Sequence, residues 1–422
     1  MNSEFKIFKL GDVATIFAGG DKPQIFSNIK NNECKIPVFA NGETKDGLQG
    51  YTDKAKVNEP AVTVSARGTI GYAVLRKEPF VPIVRLLTLI PNSERLEVSF
   101  LYYYLTLYRQ KGLGSSQAQL IAPELSNRTI TTPSLHTQKS IAKVLSDLDA
   151  KIELNNQINS ELEAMAKTLY DYWFVQFDFP NEQGKPYKSS GGKMVYNLGL
   201  KRNIPDGWEV GNLEEIGTIF GGSTPSKEKS EYFSCGESTP WITPKDLSMN
   251  KGNKFITRGD FDVTEIGIKN ASLKIMPKGT VLLSSRAPIG YLAISRGKVT
   301  TNQGFKSFVP DKGFSTHFIF YTVQKMIPTI INNAVGSTFK EVSGTTLKSI
   351  KIPIPVKSIL EIFDKKVSSI FIRQDLLELE NQQLSELRDW LLPMLMNGQV
   401  TVKEVEERLS MAAEQSVEYN KR

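Results

Sequence analysis

The sequence predicts an α+β protein in which two similar mixed α/β domains are separated by two long helices that form an antiparallel coiled coil. Three observations support this prediction. The chain has 422 residues, more than one ordinary domain holds. Three sequence blocks occur twice in the same order, and each repeat ends in a long heptad pattern. With 40% hydrophobic and 23% charged residues, the composition is that of a globular protein with real cores.

The repeated blocks indicate an internal duplication. TIFAGG at 15–20 returns as TIFGGS at 218–223, and SARGTIGYAV at 65–74 returns as SSRAPIGYLA at 284–293. FLYYYL at 100–105 returns as FIFYTV at 318–323. Any one of these matches could arise by chance, but their shared order and nearly constant separation predict two related domains, with a few extra residues early in the second.

Proline-containing segments mark the predicted boundaries. Pro133 precedes the first heptad pattern, and Pro353 and Pro355 precede the second. Because proline disfavours helical geometry in the residue before it, these prolines should mark where each globular domain gives way to a helix, and Pro393 should stop the second heptad run. We therefore predict a first domain over 1–136, a first long helix over 137–178, a connector over 179–205, a second domain over 206–356, a second long helix over 357–396 and a tail over 397–422.

The heptad patterns predict two helices that pair with one another. At 1.5 Å per residue each would be roughly 50 Å long, too long for a small domain to cover as an ordinary core helix. Polar residues Asn155, Asn159, Gln374 and Asn381 interrupt the apolar seam, and Arg388 occupies one further position. These amides either set register and orientation or face solvent. The predicted seam consists of Ile141, Leu145, Leu148, Ile152, Leu162, Leu169, Val367, Ile370, Leu377 and Leu384.

Within each repeat, short β-branched runs separated by glycine or proline predict twisted strands joined by tight turns. The aromatic blocks at 100–105 and 318–323 read as short buried helices. Their rings are therefore assigned to the cores in preference to base-stacking surfaces.

Motifs for catalysis are missing from the sequence. It contains no GxxxxGK[ST] phosphate loop, no Pro-Pro pair of the kind found in amino-methyltransferases, and no nuclease-type Pro-Asp with a following Glu-x-Lys. Cys34 and Cys235 are too far apart for a zinc ribbon, and His136 and His317 stand in unrelated contexts that suit surface or structural roles. We expect no metal site and no cofactor on this chain. With no secretion signal and no long apolar stretch, we also expect a cytoplasmic protein.

The net charge of +7 and a pI near 9.0 suit a polyanionic partner. Arg67 and Arg286 lie at equivalent positions of turn-like segments, where a guanidinium could grip phosphate or pair with guanine. The same polar residues could equally bond to their own backbone in turns. The candidate DNA contacts are Arg67, Thr69, Lys227, Lys245, Ser285, Arg286, Asn302, Gln303, Lys306, Thr338 and Lys340.

Several motifs together resemble the DNA specificity subunit of type I restriction-modification systems, and the resemblance covers nearly the whole chain. In the second half, GGSTPSK, TPWITPKDLS, SSRAPIGYLA, NQGFKSF and GSTFKEVS follow the order of that family. PSLHTQKSIAKVLSDLDAKIELNNQIN resembles the region between its two recognition domains, and DWLLPMLMNGQV the second such region. In the first domain, PVFANGETKDGLQGY and SARGTIGY match only loosely.

The resemblance implies two target recognition domains, each reading one part of a split site in double-stranded DNA. The long helices would set the spacing of the half-sites and bind two methyltransferase subunits, with motor-nuclease subunits joining for restriction. Adenine methylation with AdoMet and cleavage driven by ATP and Mg would then belong to those partners. Two alternatives stay open at this point: a self-sufficient DNA methyltransferase or nuclease, and a coiled-coil adaptor that does not touch DNA.

Overall fold

The structure is a computed structural model and describes residues 5–111, 119–286, 288–336, 340–405 and 407. The chain divides into two compact units, each considered by itself below. Unit 1 comprises Met1–Glu153 with Gln382–Arg422, and unit 2 comprises Leu154–Asn381. Both long helices contribute residues to both units, so each unit contains one globular domain and part of each long helix.

The helices are α1 (Leu10–Val13), α2 (Val98–Leu107), α3 (Ala122–Asn127), α4 (Leu135–Tyr170), α5 (Pro244–Met249), α6 (Glu265–Asn270), α7 (Thr316–Asn332), α8 (Gly344–Lys348) and α9 (Lys357–Met396). A π-helical turn, Asp171–Val175, continues α4, and short 3-10 helices cover Thr44–Gly47, Leu213–Ile216 and Ser230–Tyr232.

The strands of the first domain are β1 (Lys6–Lys9), β2 (Ala14–Ala18), β3 (Ile36–Phe39), β4 (Leu48–Thr52), β5 (Ala61–Val64), β6 (Ala73–Arg76), β7 (Val81–Pro82), β8 (Leu87–Pro91) and β9 (Thr129–Thr132). The connector holds a hairpin of β10 (Met194–Asn197) and β11 (Arg202–Pro205). The second domain contains β12 (Glu209–Asn212), β13 (Thr218–Gly221), β14 (Phe233–Ser234), β15 (Thr239–Ile242), β16 (Phe255–Ile256), β17 (Phe261–Val263), β18 (Val281–Leu283), β19 (Leu292–Ser295), β20 (Thr300–Thr301), β21 (Lys306–Val309) and β22 (Lys351–Ile354).

The two domains share one strand topology. In the first, a sheet of order β2-β8-β5-β6 lies with a sheet β4-β3-β7 and a pair β1-β9. In the second domain, the larger sheet has the matching order β13-β21-β18-β19 and one further strand, β16. The smaller sheet has the matching order β17-β15-β20 and one further strand, β14. The separate strand pair is β12-β22. In these smaller sheets, β3 pairs antiparallel with β4 and parallel with β7, and β15 pairs antiparallel with β17 and parallel with β20. The duplication predicted from three sequence blocks is therefore a duplication of fold.

The long helices begin two residues after a proline, at Leu135 and at Lys357. Pro393 interrupts the heptad pattern but lies inside the second helix. The helix continues to Met396, and the Asn397 amide donates to the Pro393 carbonyl over 3.0 Å. Proline removes only its own donor and crowds the turn before it, so the turn after it can remain helical.

Each domain packs its repeated aromatic helix against the long helices in its unit. In unit 1, Phe100 and Leu101 of α2 share a core with Leu145 of α4 and Leu391 of α9. In unit 2, a larger core gathers residues of α7 and of both long helices, including Phe318, Ile319, Tyr170, Phe363 and Val367. The repeated aromatics lie mainly in the cores, as the sequence predicted.

Contacts within each unit show that α4 and α9 run antiparallel. In unit 1, Asp149 pairs with Arg388 at 2.8 Å. In unit 2, Asn155 Nδ2 donates to Asn381 Oδ1 over 2.9 Å, while Gln374 Nε2 lies 3.3 Å from the backbone oxygen of Asn159. The numbering rises along one helix as it falls along the other, and the buried amides form hydrogen bonds across the seam. The ten apolar residues of the predicted seam are all buried or half-buried.

No helix in the described part of the chain is long and apolar enough to cross a membrane.

Candidate nucleic-acid interface

A tight turn in the second domain carries Arg286. It joins β18 to β19, its described residues are 284–286 and 288–291, and we call it the second arginine turn. The Ser284 amide donates to the Tyr291 carbonyl over 2.9 Å, and the Gly290 amide donates to the Ser284 carbonyl over 3.0 Å. The Ser284 hydroxyl also donates to the Pro288 carbonyl over 2.8 Å. These bonds close the turn and define its backbone on both sides of Arg286.

The first domain contains the same turn over residues 65–72, between β5 and β6, which we call the first arginine turn. The Ser65 amide donates to the Tyr72 carbonyl and the Gly71 amide to the Ser65 carbonyl, both over 2.9 Å. Gly71 has φ 78° and Gly290 has φ 104°, conformations that side chains rarely adopt. The glycine shared by both repeats is thereby explained, and Arg67 and Arg286 occupy one structural position.

The two arginines have different partners. Arg67 Nη2 donates to Gln119 Oε1 over 2.8 Å. Arg286 Nη1 lies 3.8 Å from Glu341 Oε2, and Lys306 Nζ lies 3.9 Å from Glu341 Oε1. Ion pairs this exposed contribute little to stability, with a typical value below about 1 kcal/mol. The cationic heads are therefore free to exchange these partners for phosphate or base atoms.

Other predicted contacts of the second domain gather beside the same turn. The Ser285 amide donates to the Gly304 carbonyl over 2.7 Å, which brings the segment of Asn302 and Gln303 next to Arg286. Asn302 Oδ1 accepts from the Gly304 amide over 2.9 Å, and Gln303 Oε1 accepts from the Thr224 hydroxyl. Asn302 thus bonds to the backbone of its own turn, as the alternative interpretation of the sequence anticipated, whereas Gln303 bonds to a side chain from another part of the domain. The cluster of Arg286, Asn302, Gln303 and Lys306 forms the candidate interface.

Two predicted contact residues are placed poorly for DNA. Ser285 is fully buried, so its side chain is not accessible to DNA in this conformation. The Thr69 hydroxyl is buried without a hydrogen-bond partner among the described residues. The sequence missed this because both residues belong to the arginine turns, and burial depends on what packs behind a turn.

The remaining predicted residues have varied positions. Lys245 pairs with Asp260 at 2.6 Å, and this hydrogen bond raises the pKa of the lysine. Lys227 lies at a cavity of about 450 Å³ with aromatic walls that include Phe233 and Trp241. Lys340 is exposed next to Glu341. Thr338 lies outside the described residues.

One residue of the first domain was missed by the sequence reasoning. The Ile83 amide donates to the Phe39 carbonyl, and the Asn302 amide donates in the same way to the Ile242 carbonyl, so Ile83 corresponds to Asn302. Two residues further along each chain segment, Arg85 corresponds to Gly304. Arg85 is exposed and has φ 61°, and its neighbour Val84 has φ 52°. Strained backbone of this kind persists where its surroundings impose it and concentrates at functional sites.

Asn41 supplies the constraint on this strained segment. Its Nδ2 donates to the Val84 carbonyl, and its Oδ1 accepts from the Ala66 amide, both over 2.7 Å. A single side chain therefore ties the segment of Arg85 to the first arginine turn. No local sequence signal marks this pairing, because VPIVRLL and TTNQGFK share no residue at equivalent positions.

Unit 2 holds its domain on the long helices through a buried polar network. Lys254 Nζ lies 2.5 Å from Glu163 Oε2 on α4 and 2.8 Å from Gln374 Oε1 on α9. Burial lowers the pKa of Lys254, and the charge of Glu163 opposes that shift. Glu378 accepts from the backbone amides of Lys254 and Phe255 over 2.7 and 3.0 Å. Buried charges are tolerated only when paired in this way.

His317 takes a structural position, as the sequence suggested. Its Nδ1 contacts Asp364 of α9, and its ring lies 4.3 Å from the ring of Phe371. Among the described residues, no group of three or more His, Cys, Asp or Glu side chains is arranged to hold a metal ion.

Two domains of one topology, each with an arginine on the same turn and each packed on a helix pair, define a duplicated recognition protein. The family model described as "Type I restriction modification DNA specificity domain" matches residues 2–164 and again 205–389, one match per repeat. The chain belongs to the family of type I restriction-modification DNA specificity subunits.

Individual relatives agree with this assignment. The MjaIX specificity subunit of Methanocaldococcus jannaschii is 41% identical over 184 residues, which cover 42% of this chain and 42% of that relative. The HindI specificity subunit of Haemophilus influenzae is 30% identical over 331 residues, covering 67% of this chain and 71% of the relative. The crystal structure of an S subunit from M. genitalium superimposes with a TM-score of 0.64 at 18% identity, covering 93% and 96% of the two chains.

These findings confirm the predicted fold class and the prediction of a DNA specificity subunit that is not itself an enzyme. The two alternatives, a self-sufficient enzyme and an adaptor without DNA contact, are set aside.

Proposed function

We propose that this chain reads a split site in double-stranded DNA, with the first domain recognising one half-site and the second domain the other. The observation that carries the proposal is the pair of arginine turns: one backbone design presents Arg67 and Arg286 on two copies of one fold. Both turns carry a cation that solvent can reach, and such a duplication suits a ligand with two similar recognition elements and a polyanionic backbone.

The remaining chemistry is assigned to partner subunits. Two methyltransferase subunits would bind AdoMet and methylate adenine, and motor-nuclease subunits would use ATP and Mg for cleavage. The complex would act in the cytoplasm, on the DNA present there. The chain's own contribution is selective affinity. Lysine and arginine side chains attract phosphates without regard to sequence, and a few turn side chains distinguish bases.

Methylome sequencing tests this function directly. A host carrying the chain with its methyltransferase partner should show methylated adenines in one split motif, and the motif should disappear when the gene for this chain is deleted. Exchange of residues 206–356 for the same domain of a relative should change one half of the motif and leave the other half intact. A motif unaffected by deletion, or a contiguous motif, would refute the proposal.

A further inference from the structure

Glu341 of the second domain and Gln119 of the first occupy one structural position. The Leu120 amide donates to the Ala66 carbonyl over 3.0 Å, and the Val342 amide donates to the Ser285 carbonyl over 3.1 Å. The residue before each of these donors faces the arginine of its turn. At this position the first domain carries a neutral amide and the second domain a carboxylate.

Glu341 retains its capacity to accept hydrogen bonds. Its carboxylate oxygens lie 3.8 and 3.9 Å from Arg286 Nη1 and Lys306 Nζ, beyond the range of a hydrogen bond. Within the described parts of the chain no donor bonds to either oxygen, and the side chain is 42% exposed. Neither cation lies within hydrogen-bond range of the carboxylate, so its oxygens stay open to a ligand.

The first domain lacks this arrangement in two respects. Gln119 carries no charge and already accepts from Arg67. The position of Lys306 is occupied by Leu87, since Ala18 pairs with Leu87 as Gly221 pairs with Lys306. Leu87 is buried. At these two positions the second domain therefore carries an acid and a base where the first domain carries a neutral amide and an apolar side chain.

A carboxylate facing DNA is repelled by phosphates and is favourable only where a base offers it a donor. In the major groove such donors are the exocyclic amino groups, N4 of cytosine and N6 of adenine. We propose that Glu341 is a specificity-determining residue of the second domain, which accepts a hydrogen bond from the amino group of a cytosine or adenine and disfavours DNA that lacks one. This inference rests on the proposed function.

The test uses the full chain assembled with its methyltransferase partner and the target defined by methylome sequencing. Affinities are measured for that target, for targets with single base-pair changes in each half-site, and for an unrelated duplex of equal length, at several salt concentrations. In Glu341→Gln, the penalty for changing one base pair of the second half-site should fall by roughly tenfold. Affinity for the unrelated duplex should rise severalfold as a repulsive charge is lost.

Matched variants separate the effect of a hydrogen bond to a base from the effect of a changed net charge. Gln119→Glu should weaken binding to the unrelated duplex, and Glu265→Gln, which makes the same charge change on α6, should leave every positional penalty unchanged. Glu341→Asp keeps the charge but shortens the reach, so it should lose the base preference while affinity for the unrelated duplex stays low. If Glu341→Gln does not assemble, Glu341→Asp decides the question. Unchanged penalties in the first half-site show that a variant is folded.

Two results would overturn the inference: an equal rise in affinity for every duplex in Glu341→Gln, or positional penalties identical to those of the unmodified chain. A third result concerns the proposed function itself. If the unmodified complex prefers no sequence, that function fails, and the role of Glu341 fails with it.

Discussion

Tyr103 and Tyr321 occupy equivalent positions in the two repeats, and each donates a hydrogen bond from its hydroxyl to a carboxylate of α4. Tyr103 reaches Asp149 over 2.6 Å within unit 1, and Tyr321 reaches Glu163 over 3.1 Å within unit 2. The repeated tyrosine thus joins each domain to the same long helix. Because the acids come from different turns of that helix, the duplication extends to the tyrosines and not to their partners.

The pKa values of these two tyrosines lead us to expect that the folded chain loses stability at alkaline pH. Burial and the nearby acids raise the pKa of both above the usual 10.0. The folded chain therefore holds these protons more tightly than the unfolded chain, and the stability present below pH 10 is lost as the pH rises above it, by up to about 1.4 kcal/mol per pH unit for each tyrosine.

Chemical denaturation at several pH values measures this effect. Tyr321→Phe should make the alkaline decline shallower, while Tyr196→Phe, at an exposed position of β10, should not. An alkaline decline of equal slope in both variants would contradict the assignment.

Removal of Lys254 should leave Glu163 without its buried counter-ion. We expect Lys254→Met to lower the free energy of unfolding by about 2 kcal/mol, less than for a fully buried pair, because Glu163 can still reach solvent. The double variant Lys254→Met/Glu163→Gln removes the unpaired charge and should be more stable than the single variant. Urea denaturation of the unmodified chain, of Lys254→Met, of Glu163→Gln and of the double variant measures this, and strictly additive losses would show that the two side chains are not coupled.

Substitutions in the two arginine turns should have separable effects on DNA binding. Arg286→Ala and Arg67→Ala should each weaken binding of the target by about 1–3 kcal/mol, because each removes a cation from one half-site. Titrations with half-site variants at moderate salt should show that each substitution affects its own half. Arg95→Ala, an exposed arginine before α2, serves as the control of equal charge change. Affinity unchanged in both turn variants would remove the turns from the interface.

The glycines of the turns should tolerate alanine unequally. A Cβ at Gly71 would lie 2.2 Å from the Gln110 backbone oxygen, whereas one at Gly290 would lie 3.0 Å from Ile327 Cγ2. A side-chain methyl can move but a backbone carbonyl cannot. At both positions alanine would also have to adopt a positive φ, which costs on the order of 1–3 kcal/mol. Thermal unfolding should therefore show a larger loss for Gly71→Ala than for Gly290→Ala, and the reverse order would count against this geometry.

Replacing amides of the helix seam by leucine should raise the stability of the chain and make its helix pairing less well ordered. Asn155 is fully buried and bonds to Asn381. Replacing both by leucine should raise the free energy of unfolding by about 1 kcal/mol or more, since apolar packing replaces a polar pair that is buried on the Asn155 side. The same change should broaden the NMR signals of neighbouring seam residues if the amides set the register. A destabilised double variant with sharp signals would argue that they serve stability alone.

The sequence by itself determined the duplication, the presence of two long heptad helices, and the absence of recognisable catalytic motifs. These features are local or periodic: a heptad is written in consecutive residues, proline restricts its neighbour, and repeated blocks can be aligned without coordinates. The family resemblance rested on the same motifs. Even the polar seam positions could be named in advance, although their hydrogen bonds could not.

Only the tertiary structure decided which residues meet. Arg67 pairs with Gln119 and Arg286 with Glu341 across more than 50 residues of chain, and no pattern near either arginine encodes the partner. The match of Arg85 to Gly304 emerged from strand pairing, because the residues there differ in every position. Burial of Ser285 likewise depends on segments that pack from elsewhere in the chain. Side-chain accessibility and long-range pairing are properties of the folded chain, since they depend on contacts between residues far apart in sequence.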